Sequence, residues 1–183
     1  MSSAIVGYDI NIESVIYLDN KWFCFTNKPE HDNKNILKVS NDFMNWIEAD
    51  IDGNIFNIHH NIVFTNSVYC LSVEHRITDT NLVNDNEQPK QHQILYSNDG
   101  LHWNSSELNN ITYVDKLCAS ENLLYAFCKF VDSNKLIISE NGITWREYEN
   151  WEPNSAIHYL SYSRGLLYII FGDRVIESVT IQP

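Results

Sequence analysis

Seven histidines, four arginines and a large excess of carboxylates are the groups with which chemistry would start in this chain. His59 and His60 are neighbours, and Glu74, His75 and Asp79 fall in one short run. Adjacent strand residues point to opposite faces, so His59 and His60 cannot close on one ion from a regular strand. No metal site and no cofactor is expected. Two carboxylates suffice for glycoside hydrolysis, but sequence context marks no pair here. There is no glycine-rich phosphate loop, Gly-x-Ser-x-Gly elbow or Cys–His framework. Cys24, Cys70, Cys118 and Cys128 lie in apolar runs such as "WFCF" and "YAFC". Lacking zinc or redox spacing, they read as small buried thiols of a reducing compartment.

The residues that recur at fixed spacing are of another kind. "KVSNDFMNWIEA", "LYSNDGLHWNSS" and "IISENGITWREY" are three copies of one phrase. Each has a serine (Ser40, Ser97, Ser139) and, six residues on, a tryptophan (Trp46, Trp103, Trp145). The second position after the serine is Asp42, Asp99 or Asn141; the third is Phe43, Gly100 or Gly142. An Asp or Asn in a turn accepts from backbone amides a few residues on. Glycine permits a backbone angle that a side chain opposes. The serine hydroxyl can bond locally, and the tryptophan can lie over the turn as an apolar lid. The phrase is therefore a hairpin-end device that needs no ligand.

The elements around these turns follow. The tryptophans are 57 and 42 residues apart, which suits a propeller blade of four short strands with insertions. A second repeat, a polar turn followed by an aromatic strand, places Phe23, Tyr69, Tyr125 and Tyr168 in one recurring position. β-Branched and aromatic runs dominate. The expected fold is all-β, a small four-bladed propeller in a single domain over 1–183, with blades near 11–50, 55–107, 111–149 and 155–181. The last blade has three strands by pattern, and Ala4–Ile10 is expected to add the fourth, since an open edge invites aggregation. A half-ring that dimerises into eight blades is the rival to this monomer.

These phrases resemble the Asp-box, or bacterial neuraminidase repeat, of sialidase-like propellers, whose pattern is roughly Ser-x-Asp-x-Gly-x-Thr-Trp. Ser97, Asp99 and Trp103 match, as do Ser139, Thr144 and Trp145. Gly100 and Gly142 sit one position early, because each copy is one residue shorter; the first copy lacks the glycine, and His102 stands where threonine is usual. The resemblance implies a propeller. It also implies that the turns lie away from the family's active site, which uses three arginines, a tyrosine with a glutamate, and an aspartate. Of the arginines here, Arg146 and Arg164 fall on the turn side, and Arg76 and Arg174 alone cannot make a triad. A non-enzyme is expected.

The formal charge is −12. It disfavours nucleic acid and anionic membranes and steers basic partners inward. No apolar run spans a membrane, and the start lacks a signal-peptide pattern, so a cytoplasmic protein is expected. The face opposite the Ser–Trp turns gathers Glu30, Asp32, Asp50, Asp52, Glu74, Asp79, Asp85, Glu87, Asp132, Glu149 and Glu152 around Trp151. Acids around an aromatic anchor suit a basic protein partner. The function expected is non-catalytic binding of such a partner, in the manner of an immunity protein neutralising a basic toxin such as a nuclease. The alternative is a carbohydrate-binding or glycosidase-like propeller.

Overall fold

The computed structural model describes residues 11–28, 34–51, 55–76, 90–108, 110–148, 157–171 and 176–180. Their regular structure is entirely β-strand, and no helix is long and apolar enough to cross a membrane. The first sheet runs β1 (Asn11–Leu18), β2 (Lys21–Lys28), β3 (Lys34–Ser40) and β4 (Ile47–Glu48). The second has the spatial order β5 (Asp50–Ile51), β9 (His102–Ser105), β8 (Lys90–Ser97), β7 (Val68–Arg76) and β6 (Ile55–Thr65). The third holds β10 (Ile111–Ala119), β11 (Leu124–Phe130), β12 (Asn134–Ser139) and β13 (Arg146–Glu147). The fourth holds β14 (Ile157–Ser163), β15 (Leu166–Phe171) and β16 (Ile176–Thr180). Ala4–Ile10, expected as a closing strand, lies outside the described residues.

Apart from β5, which is added at the outer edge of the second sheet, each sheet is an antiparallel meander whose long first strand lies beside the first strand of the next: β1 against β6, β6 against β10, β10 against β14. First strands inside and short last strands outside make a β-propeller, as expected from the repeats. Side-chain alternation builds the seams between sheets. Along β7, Tyr69, Leu71 and Val73 pack back onto the first sheet, while Val68 and Cys70 pack forward onto the third. Along β11, Leu124, Ala126 and Cys128 face back, and Tyr125 and Phe127 face the fourth sheet. Every inner sheet is thus apolar on both faces.

The hairpins joining first to second strands are tight. Asp19–Asn20, Asn66–Ser67 and Arg164–Gly165 have positive φ at both central residues, the backbone that suits the twist of a two-residue hairpin. The four thiols are buried and free. Burial pushes the thiol pKa of Cys70 up to about 12 and that of Cys118 up to about 11.

Two details differ from the sequence reading. In the pairing registers Trp22 faces Ser40, Tyr69 faces Ser97 and Leu124 faces Ser139. Tyr69 is therefore the counterpart of Trp22 and Leu124, and points to the opposite sheet face from Phe23 and Tyr125; a one-residue offset reverses a strand side chain. Asp50, expected in a loop opposite the turns, instead lies beside the second turn. Its strand pairs parallel with β9, and its N–H donates to the Leu101 carbonyl at 2.7 Å.

Candidate functional site

The three Ser–Trp turns share one internal chemistry. The Ser97 hydroxyl accepts from the amides of Asp99 and Gly100 at 3.3 and 2.8 Å and donates to Asp99 Oδ1 at 3.0 Å. Asp99 Oδ1 accepts from the amides of Leu101 and His102 at 2.7 and 2.8 Å. The Trp103 indole N–H closes the turn on the Gly100 carbonyl at 3.0 Å. Asn141 accepts the Ile143 and Thr144 amides at 2.9 and 3.0 Å, and Trp145 donates to the Gly142 carbonyl at 3.1 Å. In the first turn Asp42 accepts the Met44 and Asn45 amides at 2.9 and 2.8 Å, and Trp46 donates to the Phe43 carbonyl at 3.2 Å. These polar groups are spent on the turn itself. Amides of Asn45 and Met44 hold Asp42 well below the ordinary carboxylate range. Burial opposes ionisation of Asp99, but the His102 ring, the two amides and the Ser97 hydroxyl outweigh it and hold Asp99 equally low. In return the Asp99 carboxylate, 2.6 Å from His102 Nδ1, raises the imidazole pKa.

Where the first turn departs from the others, a surface forms. Gly100 and Gly142 have φ of +76° and +71°, and each packs against the preceding sheet. A Cβ at Gly100 would sit 3.0 Å from the Phe23 ring, and one at Gly142 would sit 2.7 Å from Cys70 Sγ. Phe43 occupies the equivalent place with φ +63° and is half exposed. Its ring meets Trp22 edge-on at 4.8 Å (69°) and Trp46 at 5.4 Å (69°); Trp22 in turn meets Tyr17 at 4.6 Å (44°). The result is a continuous ridge, Tyr17–Trp22–Phe43–Trp46, on the face of the first sheet that corresponds to the back-facing seam of the others. The position of Trp22 is filled by Tyr69, Leu124 and Leu167 in the other sheets, each 0% exposed, whereas Trp22 is partly exposed. Lys38 replaces the buried Leu95 and Ile137 at a second position of this face, and stands across β3–β4 from Glu48. Asn41 and Asn45 are exposed around the ridge, and Asn20 accepts a hydrogen bond from the Tyr17 hydroxyl at 3.2 Å.

The acidic face fares differently. Glu30, Asp32, Asp52, Asp79, Asp85, Glu87, Glu149, Trp151 and Glu152 lie outside the described residues. Asp132 is exposed. Glu74 is buried, not a steering surface charge: it faces His92, also buried, across β7–β8, and the His92 ring lies edge-on to Tyr113 at 4.6 Å. Burial lowers the pKa of neighbouring His75, and a hydrogen bond with Gln93 partly offsets it. Among the described residues no three His, Cys, Asp or Glu side chains gather as a metal would require. Arg146 follows the third turn and, with Asn141, Thr144 and Trp145, lines a cavity of about 290 Å3.

Sequence reasoning missed the ridge. Its one signal was Phe43, a bulky residue where the other copies carry glycine.

Blades, seams and turns define the class of molecule: an all-β propeller. No protein-family model matches the chain, and neither does any curated protein. Among solved structures it is similar to the computationally designed Ika4 protein, with 11% identity, 100% of each chain covered and a TM-score of 0.56. It also matches a Bombyx mori GH32 beta-fructofuranosidase, BmSUC1, at 14% identity over 88% of this chain and 41% of that one, with a TM-score of 0.47. A third match is the Bacillus subtilis arabinanase Arb43A, at 18% identity over 90% and 67% of the two chains, with a TM-score of 0.40. The chain spans about two fifths of the length of the fructofuranosidase. At these identities the likeness concerns the fold alone.

Proposed function

We propose that the chain is a non-catalytic, carbohydrate-binding propeller whose recognition surface is the first-blade ridge. The observation that carries this reading is the run of contacting rings, Tyr17 and Phe43 exposed and Trp22 and Trp46 partly exposed, with amide side chains beside it. Aromatic faces cover the apolar C–H faces of sugar rings, and neighbouring amides and carboxylates bond their hydroxyls; a few polar groups around an apolar floor is the usual composition of a ligand site. A strained non-glycine residue at the centre of the ridge fits the tendency of backbone strain to collect at functional sites. A glycan array probed with the wild type and with Phe43→Gly tests the reading. Binding by the wild type that is lost in the variant is the expected result; silence across the array contradicts it.

A second reading, recognition of a basic protein, draws on Met44 and Ile47, 85% and 58% exposed beside the rings, and on the formal charge of −12. Exposed aliphatics around aromatic anchors suit a protein interface. Co-purification from the native host at low and at about 0.5 M salt, where exposed charge attraction is screened, tests it. A stoichiometric basic protein, captured only at low salt, is the outcome this reading expects.

A further inference from the structure

We propose that the ridge selects single, soluble, uncharged oligosaccharide chains, and rejects both polyanionic glycans and flat crystalline polysaccharide faces. This rests on the carbohydrate reading and sharpens it.

The geometry argues for a single chain. Successive ring centroids lie 4.6, 4.8 and 5.4 Å apart, so each ring touches the next and the four form one unbroken line. Adjacent rings are turned by 44°, 69° and 69°. Rings so turned cannot lie together on one plane, so a flat polysaccharide surface would meet one ring at a time. A free chain can rotate at each glycosidic bond and present successive sugars to successive rings. Packing fixes the arrangement, since Trp22 is partly buried and Trp46 is tied to the Phe43 carbonyl. Little ordering is left to be done on binding.

Charge argues for a neutral one. A glycan carrying carboxylates or sulfates needs a cation that can reach it, preferably a guanidinium fork. Of the described lysines near the ridge, Lys21 Nζ lies 3.4 Å from the Tyr69 hydroxyl, itself bonded to Asp19, and Lys38 has a carboxylate residue, Glu48, as its cross-strand partner. Asp42 beside Phe43 is exposed and held ionised by the turn amides. A chain of net charge −12 adds long-range repulsion of any polyanion.

The test is a titration of the purified chain, by calorimetry in low salt, with neutral gluco-, manno- and xylo-oligosaccharides and with oligouronates, alongside pull-down on microcrystalline polysaccharide. Neutral oligosaccharides are expected to bind, with affinity falling more than about tenfold in Tyr17→Ala and Phe43→Gly, as for an interface hot spot. Tyr17 is half exposed and the backbone at Phe43 suits glycine, so both variants should fold, which circular dichroism checks. Binding to oligouronates or to the crystalline surface overturns the selectivity and leaves the carbohydrate reading standing. Failure of every glycan overturns the reading itself.

Discussion

The fourth residue of each turn shows how much one side chain decides. Glycine there does two things in the second and third copies: it adopts positive φ, and it lets the turn touch the preceding sheet. Alanine would incur left-handed strain of about 1–2 kcal/mol at either site. At Gly142 it would also press on Cys70, Val68 and Tyr96, a tighter fit than the Phe23 ring imposes at Gly100. We expect Gly142→Ala to destabilise by about 2–4 kcal/mol and Gly100→Ala by less, about 1–2 kcal/mol, in urea unfolding. Phe43→Gly should leave the melting temperature nearly unchanged, as strain relief offsets lost ring contacts and the greater freedom of unfolded glycine. The Asp99–His102 pair gives a pH signature. The depressed Asp99 contributes stability above its unfolded value of about 3.9, lost as pH falls toward the folded one. The raised His102 contributes below its unfolded value of about 6.5, lost as pH rises through the folded one. The pair therefore supports the fold most between those two values. Because Asn141 serves the third turn with the same backbone bonds, Asp99→Asn should fold normally and flatten the melting-temperature profile from pH 6 to 8. An unchanged profile would refute the assignment.

At the scale of elements, the seams are stitched by side chains of the second sheet. Asn61 Nδ2 donates to the Leu117 carbonyl at 2.9 Å, Thr65 Oγ1 to Glu121 at 2.7 Å, and Asn66 Nδ2 to Asn122 at 2.8 Å. Replacing Asn61 or Thr65 by alanine should cost about 1–2 kcal/mol, and replacing the exposed Asn66 less, by equilibrium unfolding. This scale also shows what the sequence could reveal. The turns were legible because Ser, Asp and Trp each have one local job at a fixed spacing, and the structure finds all three jobs done. Strand order followed from the repeats. What aromatic spacing could not reveal was the face to which each ring points. Tyr69 looks like the counterpart of Phe23 and Tyr125, yet pairing with Ser97 aligns it with Trp22, because a strand carries no mark of its register beyond its partner. Asp50 was misplaced for a like reason: two residues pairing in parallel with β9 are too few to leave a pattern. The ridge escaped notice because no local pattern says that an apolar face lacks a neighbour among the described residues. That depends on which blade precedes it.

For the whole molecule, most of the exposed large hydrophobics among the described residues lie on the first blade, with Tyr113, Val131 and Tyr159 exposed elsewhere. The buried thiols fit the tight seams between sheets. With burial raising all four thiol pKa values, none should react with Ellman's reagent at pH 8 in the folded state, and all four should react in denaturant. The propeller also supplies its own controls for the central claim, because three turns share one geometry while, among the described residues, only the first carries an exposed aromatic ridge. The most direct measurement is an NMR titration of the indole N–H signals with the best glycan-array hit, or with soluble neutral oligosaccharide. Signals of Trp22 and Trp46 should shift in a saturable way while those of Trp103 and Trp145 stay still. Saturable shifts at Trp103 or Trp145 alone, or at no indole, would contradict the claim that the first-blade ridge is the recognition surface.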